Sequence, residues 1–222
     1  MGKRGPKPKP IELIRWSSNL AYAVGLLATD GCLYNDGRHI NFTSKDIQLI
    51  RTFKKCLGLK NKVSRKSGGF TKEKKYYFVQ FGNVSLYKFL IDSGLTVAKS
   101  KTLNKILVPD NYLADLVRGL FDGDGSFSSY YDPRWPKSFL YYLSFISASK
   151  DHLIWLRKNI QQRLGINGHG VDRPYSRAYK LKYAKREAKK IIDFIYYKPN
   201  IPCLERKRKK IYNALKTENK QE

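Results

Sequence analysis

The chain has 222 residues, with 44 Lys plus Arg against 18 Asp plus Glu and a formal net charge of +26. Self-repulsion on that scale suits a protein whose partner is a polyanion, so the charge points to nucleic acid and away from small neutral substrates. Disorder is excluded as its cause because 41% of residues are hydrophobic and 14% aromatic, a globular composition in a chain long enough to bury a core unaided.

The chain opens on a basic, proline-rich arm (1–18) that includes Lys3-Arg4-Gly5-Pro6-Lys7-Pro8-Lys9-Pro10, too rich in proline to pack. An apolar helix is predicted over about Asn19 to Thr29, leaving through Asp30-Gly31 by a left-handed turn. Two strands follow, Cys32 to Tyr34 and His39 to Thr43, around the hairpin signal Asn35-Asp36-Gly37. A second helix starts after a serine cap at Ser44, runs to Leu57 and is stopped by Gly58. A second hairpin (Lys62 to Arg65 with Tyr76 to Phe81) and a third helix (Val84 to Ser93) close the unit at about residue 95.

After a connection over 96–111 the same series returns. Gly25-Leu26-Leu27-Ala28-Thr29-Asp30-Gly31 is repeated 94 residues later as Gly119-Leu120-Phe121-Asp122-Gly123-Asp124-Gly125. Ser44-Lys45-Asp46 matches Ser149-Lys150-Asp151 at an offset of 105, Leu57-Gly58-Leu59 matches Leu164-Gly165-Ile166 at 107, and Lys99 matches Lys207 at 108. The growing offset places about eleven extra residues in the first hairpin of the second copy, near Ser128 to Ser138. The second unit spans 112–216 with a basic C-terminal helix from about Leu204 to Leu215, and 217–222 form a tail. The fold class is therefore α+β, two pseudo-symmetric αββαββα repeats.

The repeated helix carries the chemistry. Glycine inside a helix costs about 1 kcal/mol relative to alanine. Gly25 and Gly119 nevertheless recur, with Ala21, Thr29 and Gly123 a turn away, so the two helices are expected to pack on each other through small residues. That packing would bring Asp30 and Asp124 together at one end of the pair, where two like charges and two helix C-termini favour a hard divalent cation such as Mg²⁺. Such a site on a basic protein suggests metal-assisted phosphodiester hydrolysis. An EF-hand is excluded, since its sixth and twelfth positions would be Phe127 and Pro133. The three cysteines (Cys32, Cys56, Cys203) and three histidines (His39, His152, His169) are too scattered for a disulfide framework or a zinc site. The longest apolar stretch, Leu20 to Ala28, is short of a membrane span, and no membrane partner is expected. An intracellular, reducing compartment is the expected location.

The two glycine-aspartate segments resemble the paired motifs of the LAGLIDADG homing endonucleases in their single-chain form, and the resemblance runs from about Asn19 to Leu215. It implies a saddle whose sheets lie in the DNA major groove, with the two motif helices at its centre. The implied activity is cleavage of both strands of a long, asymmetric DNA site, leaving short 3′ overhangs, by a monomer with no obligate protein partner. The residues matching the metal ligands are Asp30 and Asp124 with the backbone carbonyls of Thr29 and Gly123. Mg²⁺ is the expected ion, with Mn²⁺ substituting and Ca²⁺ binding without supporting cleavage. The first copy departs by carrying Ala28 where the second has Asp122, which fits a capping or orienting role for Asp122. Lysines matching those near the scissile phosphates are Lys99 and Lys207, the second in a register that slips among Arg206, Lys207 and Arg208. Ser44 and Ser149 match a polar water-positioning site, but both are read first as helix caps.

For base readout from a two-stranded ribbon, Arg38, Asn41 and Gln80 in the first half and Arg134, Arg177, Lys180 and Lys182 in the second are candidates for base or phosphate contact. Lys180 and Lys182 alternate with Tyr179, Leu181 and Tyr183 as a wet and a buried face. The rival reading is an RNA maturase acting on its own intron, or a DNA-binding regulator without cleavage, on the same fold.

Overall fold

Helix α1 (Ser18–Asp30) begins where the Ser17 hydroxyl accepts from Leu20 N and buries every residue from Leu20 to Ala28. Such an all-round apolar helix can exist only inside a core. The computed structural model describes residues 13–68, 73–172 and 178–218. In it α1 is followed by β1 (Gly31–Leu33), β2 (His39–Ser44), α2 (Ile47–Cys56), β3 (Ser64–Lys66), β4 (Tyr76–Gly82) and α3 (Val84–Asp92). The second repeat runs α4 (Leu113–Asp124), β5 (Ser126–Asp132), β6 (Trp135–Ser147), α5 (Lys150–Leu164), β7 (His169–Asp172), β8 (Tyr179–Ala184) and α6 (Lys185–Ile195), and α7 (Glu205–Glu218) follows. The two antiparallel sheets have the same order, β1-β2-β4-β3 and β5-β6-β8-β7, so the αββαββα series is used twice. The basic arm up to residue 12 and Arg177 lie outside the described residues. Among the described residues no helix is long and apolar enough to cross a membrane.

The core of each sheet is one face of period two. Leu33, Ile40 and Phe81 share one cross-strand row, and Phe127, Leu143 and Tyr183 form a row in the second sheet; all are buried. Helices α1 and α4 pack on each other as the glycines required. A Cβ added to Gly25 would meet Gly119 Cα at 2.9 Å, and one on Gly119 would meet Gly25 Cα at 3.0 Å. Backbone faces backbone there, so neither contact can yield by rotating a side chain. Gly119→Ala is therefore expected to destabilise by about 1–3 kcal/mol through overpacking even after alanine's helix advantage of about 1 kcal/mol. A thermal midpoint equal to the parent's would contradict this close crossing.

Three expectations are corrected. The helices do not leave through left-handed glycines: Gly31 (φ −86°, ψ 159°) and Gly125 (φ −70°, ψ 157°) are extended. Glycine is needed there for room, because a Cβ would stand 2.6 Å from Leu27 Cα and 2.7 Å from Phe121 Cα. The cap of α2 is Asp46, whose carboxylate accepts from Gln48 N, while the Ser44 hydroxyl accepts from Asp46 N. In the second repeat Ser149 is the cap and the Ser147 hydroxyl accepts from its N–H, so Ser44 corresponds to Ser147 and the offset there is 103 rather than 105. Nor does the offset keep growing, since α3 and α6 start 101 residues apart; each connection takes its own length. The extra residues of the second repeat build a longer β5–β6 hairpin, with Asp132 paired to Trp135 across a tight turn and a bulge at Tyr131/Asp132. Gly58 and Gly165 do end their helices in the left-handed region, at φ 62° and 64°.

Candidate active site

The helix crossing continues to the C-terminal ends of α1 and α4, where a Cβ on Gly123 would stand 2.7 Å from Thr29 Cβ. The next residues are Asp30 and Asp124, so the two carboxylates leave the pair side by side. Burial first, and then the charge of Asp124, pushes the Asp30 carboxyl up to about 6, against the pull of Lys99 and Lys207. Burial likewise raises Asp124, opposed by Lys207 and then Lys99. Both side chains still reach solvent, and the like charges resist each other across a partly dry cleft.

Each carboxylate has a lysine beside it, Lys99 buried and Lys207 half-buried. Lys99 is only 6% exposed and donates from Nζ to the carbonyls of Thr29 (3.2 Å) and Gly31 (2.5 Å). Lys207 Nζ donates to the carbonyls of Phe121 (2.6 Å), Asp122 (2.9 Å), Gly123 (3.2 Å) and Gly125 (2.6 Å). Thr29 and Gly31 correspond to Gly123 and Gly125, so the two ammonium groups occupy equivalent positions over equivalent helix ends. Of the three basic neighbours Lys207 is the one that reaches this helix end, while Arg206 turns to Asp46 and Arg208 to Pro199 O. Burial lowers both lysines, Lys207 to about 8. The turn that delivers Lys99 follows Ala98 at φ 55°, a left-handed conformation that costs a non-glycine residue about 1–2 kcal/mol.

Asp122 does not join the carboxylate pair. It is 1% exposed, and its Oδ2 accepts from Tyr22 Oη (2.8 Å) and Leu204 N (2.7 Å), which ties the start of α7 to α4. Burial pushes it up to about 6. Arg118 and Asp115 lie on α4 one and two turns earlier and face the same segment: Arg118 donates to Asp115 (2.5 Å), to Ile195 O (2.9 Å) and to Pro202 O (2.7 Å). No sequence motif marks this pair. The signal available was an Asp and an Arg three apart in a helix whose counterpart has Ala21 and Val24.

The donor set at the helix ends suits a hard divalent cation: two carboxylates, both raised by burial and Asp30 also by the charge of Asp124, and the carbonyl oxygens of Thr29 and Gly123, whose lysine contacts are the longest each lysine makes. Oxygen donors with no soft ligand favour Mg²⁺ over zinc.

Of the candidate DNA-contact residues, Asn41, Gln80, Lys180 and Lys182 stand on the sheet faces turned away from the core, and Arg38 and Arg134 stand at hairpin turns. Cys32, Asn41 and Gln80 form one cross-strand row. Gln80 is exposed and accepts from Tyr34 Oη (3.3 Å), whereas Asn41 is only 6% exposed, sheltered between its neighbours with its amide oxygen bonded to Thr43 Oγ1 (2.8 Å). Arg38 is exposed beside the β1–β2 turn, and Arg134 sits at the β5–β6 turn, its side chain 82% exposed and paired with Asp132. Leu181 and Tyr183 are buried while Lys180 and Lys182 take the other face, the Lys182 ammonium lying 3.5 Å from the Tyr142 ring centroid. Arg177 is not among the described residues.

Two repeats with identical sheet order around a glycine-lined helix pair define the LAGLIDADG fold in its two-repeat form. No protein-family profile and no curated protein matches the sequence. Solved structures do match. The chain is similar to the homing endonuclease I-DmoI in complex with DNA and Ca, at 18% identity and a TM-score of 0.54 over 91% of this chain and 97% of that one. It is similar to the meganuclease I-SmaMI bound to uncleavable DNA, at 14% identity and a TM-score of 0.55 over 84% and 86%. The N-terminal LAGLIDADG domain of WhiA matches at 17% identity and a TM-score of 0.53 over 86% of both chains. At these identities the likeness is one of fold.

Proposed function

We propose that this protein is a site-specific double-strand DNA endonuclease of the homing type, acting as a monomer with Mg²⁺ and leaving short 3′ overhangs. The observation that carries the reading is the duplication of one chemical set, Asp30 with Lys99 and Asp124 with Lys207, at the shared end of the α1/α4 pair. A protein that only bound nucleic acid would need the positive charge but not two carboxylates facing each other inside it. The fold neighbours support the reading, since I-DmoI and its variants were solved with DNA together with Mg, Mn or Ca.

Asp30 and Asp124, with the carbonyls of Thr29 and Gly123, would hold the ion. Bound there, it supplies neutralisation of the charge that develops on the scissile phosphate. Lys99 and Lys207 add a preorganised positive charge in a partly dry cleft, where it acts more strongly than in water. With its amine at about 8, Lys207 remains mostly protonated at neutral pH and keeps that charge. Arg38, Gln80, Arg134, Lys180 and Lys182 would meet base edges and phosphates from the two sheet faces.

The test is cleavage of a randomised duplex library with Mg²⁺, beside Ca²⁺ and the Asp30→Asn protein. Recurrent Mg²⁺-dependent cuts at one long motif are expected. Retention of one sequence without cuts would overturn the endonuclease reading and leave a binding protein, with intron RNA the next ligand to try. Binding should weaken steeply with salt, the log–log slope growing by about 0.9 per phosphate neutralised. A slope near zero would contradict a phosphate-dominated interface.

A further inference from the structure

The segments that carry the two lysines follow the third helix of their own repeats, yet each is gripped by the second helix of the opposite repeat. Ahead of Lys207, Gln48 at the start of α2 donates from Nε2 to Cys203 O (2.8 Å) and accepts at Oε1 from Glu205 N (3.1 Å). Glu205 is the first residue of α7, where backbone N–H groups have no partner within the helix, so Gln48 supplies one from across the molecule. One turn of chain then reaches the lysine, with Lys207 N bonded to Leu204 O (3.0 Å).

The counterpart is crossed the same way. Ser149, the cap of α5, donates to Leu103 O (2.5 Å), and His152 donates from Nδ1 to Asn104 O (2.8 Å). Burial lowers the His152 imidazole, which keeps the ring neutral with its proton on the nitrogen that faces the carbonyl. Leu103 N bonds Lys99 O (2.8 Å), so a fixed Leu103 fixes the lysine one turn back. Ser149 corresponds to Asp46, two residues before Gln48, so the two grips come from equivalent helix starts.

One side of the Lys207 segment borders a half-open pocket of about 360 Å³, lined by Gln48, Cys56, Cys203 and Glu205 among others, and on that side Gln48 is the side chain that bonds to its backbone. We propose that Gln48 is a positioning residue for Lys207, and Ser149 with His152 for Lys99, so that each half-site is completed by the other repeat. The consequence for cleavage rests on the endonuclease reading: loss of one grip slows one strand's cut and not the other's.

Two measurements test it. On a supercoiled plasmid bearing the selected target, Gln48→Met, close in length but without the amide, is expected to accumulate nicked circles, its slow strand falling about tenfold in rate, as expected for the loss of two hydrogen bonds. The slow strand should be the one slowed by Lys207→Met. Ser149→Ala and His152→Phe, which keeps a ring against Trp155, should instead slow the strand affected by Lys99→Met. The same strand for both grips, the reverse assignment, or equal slowing would overturn the proposal. Without DNA, brief reductive methylation read by mass spectrometry should rise severalfold at Lys207 relative to Lys99 in Gln48→Met, and at Lys99 relative to Lys207 in His152→Phe. Equal or absent changes would overturn it as well. This second measurement needs no catalysis, so a parent protein that cuts no DNA would remove the endonuclease reading while the crossed positioning is still decided.

Discussion

Asp30→Asn and Asp124→Asn are each expected to cut double-strand cleavage by at least about 10³-fold, the scale on which a lost charged group at a reacting centre acts. DNA binding should stay within about tenfold, because one carboxylate among so many positive groups contributes little to the field that attracts DNA. Asparagine keeps the shape of the side chain and removes its charge, so the loss isolates the cation site from the fold. Without metal, the thermal midpoint should not fall, since Asp30 is already raised by burial and by the charge of Asp124. The parent's midpoint should rise on adding Mg²⁺ or Ca²⁺, by mass action on the folded state, and the variants' should not. Full cleavage by either variant would remove the proposed site. An Mg²⁺-dependent midpoint that survived both substitutions would place the ion elsewhere.

Much of this was legible in the sequence because duplication makes weak signals strong. A glycine-aspartate segment is ambiguous once, but Gly25 and Gly119 at matching places demand a common cause, and the crossing in which a Cβ added to either would stand about 3 Å from the other's Cα is that cause. Strands were legible where one face is apolar, as in Leu181 and Tyr183 against Lys180 and Lys182. Three things were not. Cap position depends on which of two nearby side chains reaches the free N–H, so Ser44 and Asp46 could not be told apart without the backbone. The direction in which the chain leaves α1 and α4 is set by crowding at Gly31 and Gly125, which composition does not reveal. The polar anchors Gln48, Arg118 and Asp122 bond to backbone carbonyls and amides between 77 and 157 residues away, and backbone partners leave no pattern in side-chain identity. Lys207 was legible only to within its basic neighbours, and the carbonyl cluster it enters supplies the remaining register.

Arg118→Met is expected to produce the largest loss of stability of any single change considered, about 3–5 kcal/mol, because it leaves the Asp115 carboxylate buried and uncompensated. Arg118 and Asp115 are 0% and 1% exposed, so water cannot reach in to replace the lost partner. The guanidinium also lies over the Tyr22 and Tyr197 rings, at 5.2 and 5.7 Å from their centroids, and Tyr197 Oη donates to the same Asp115 oxygen (2.9 Å). At about 2–4 °C per kcal/mol for a chain of this size, the midpoint should fall by roughly 6–20 °C. Adding Asp115→Leu removes the stranded charge and should recover part of the loss, but not all of it. Ile195 O and Pro202 O lose their donor in both variants, and these carbonyls bracket the segment that leads to Lys207. The double variant should therefore be more stable than Arg118→Met, though less than the parent, and still cut more slowly on the strand that Lys207 serves. Unfolding curves separate the terms. A double variant no more stable than Arg118→Met alone would show that the carbonyl bonds, rather than the buried charge, hold this end of α4 in place.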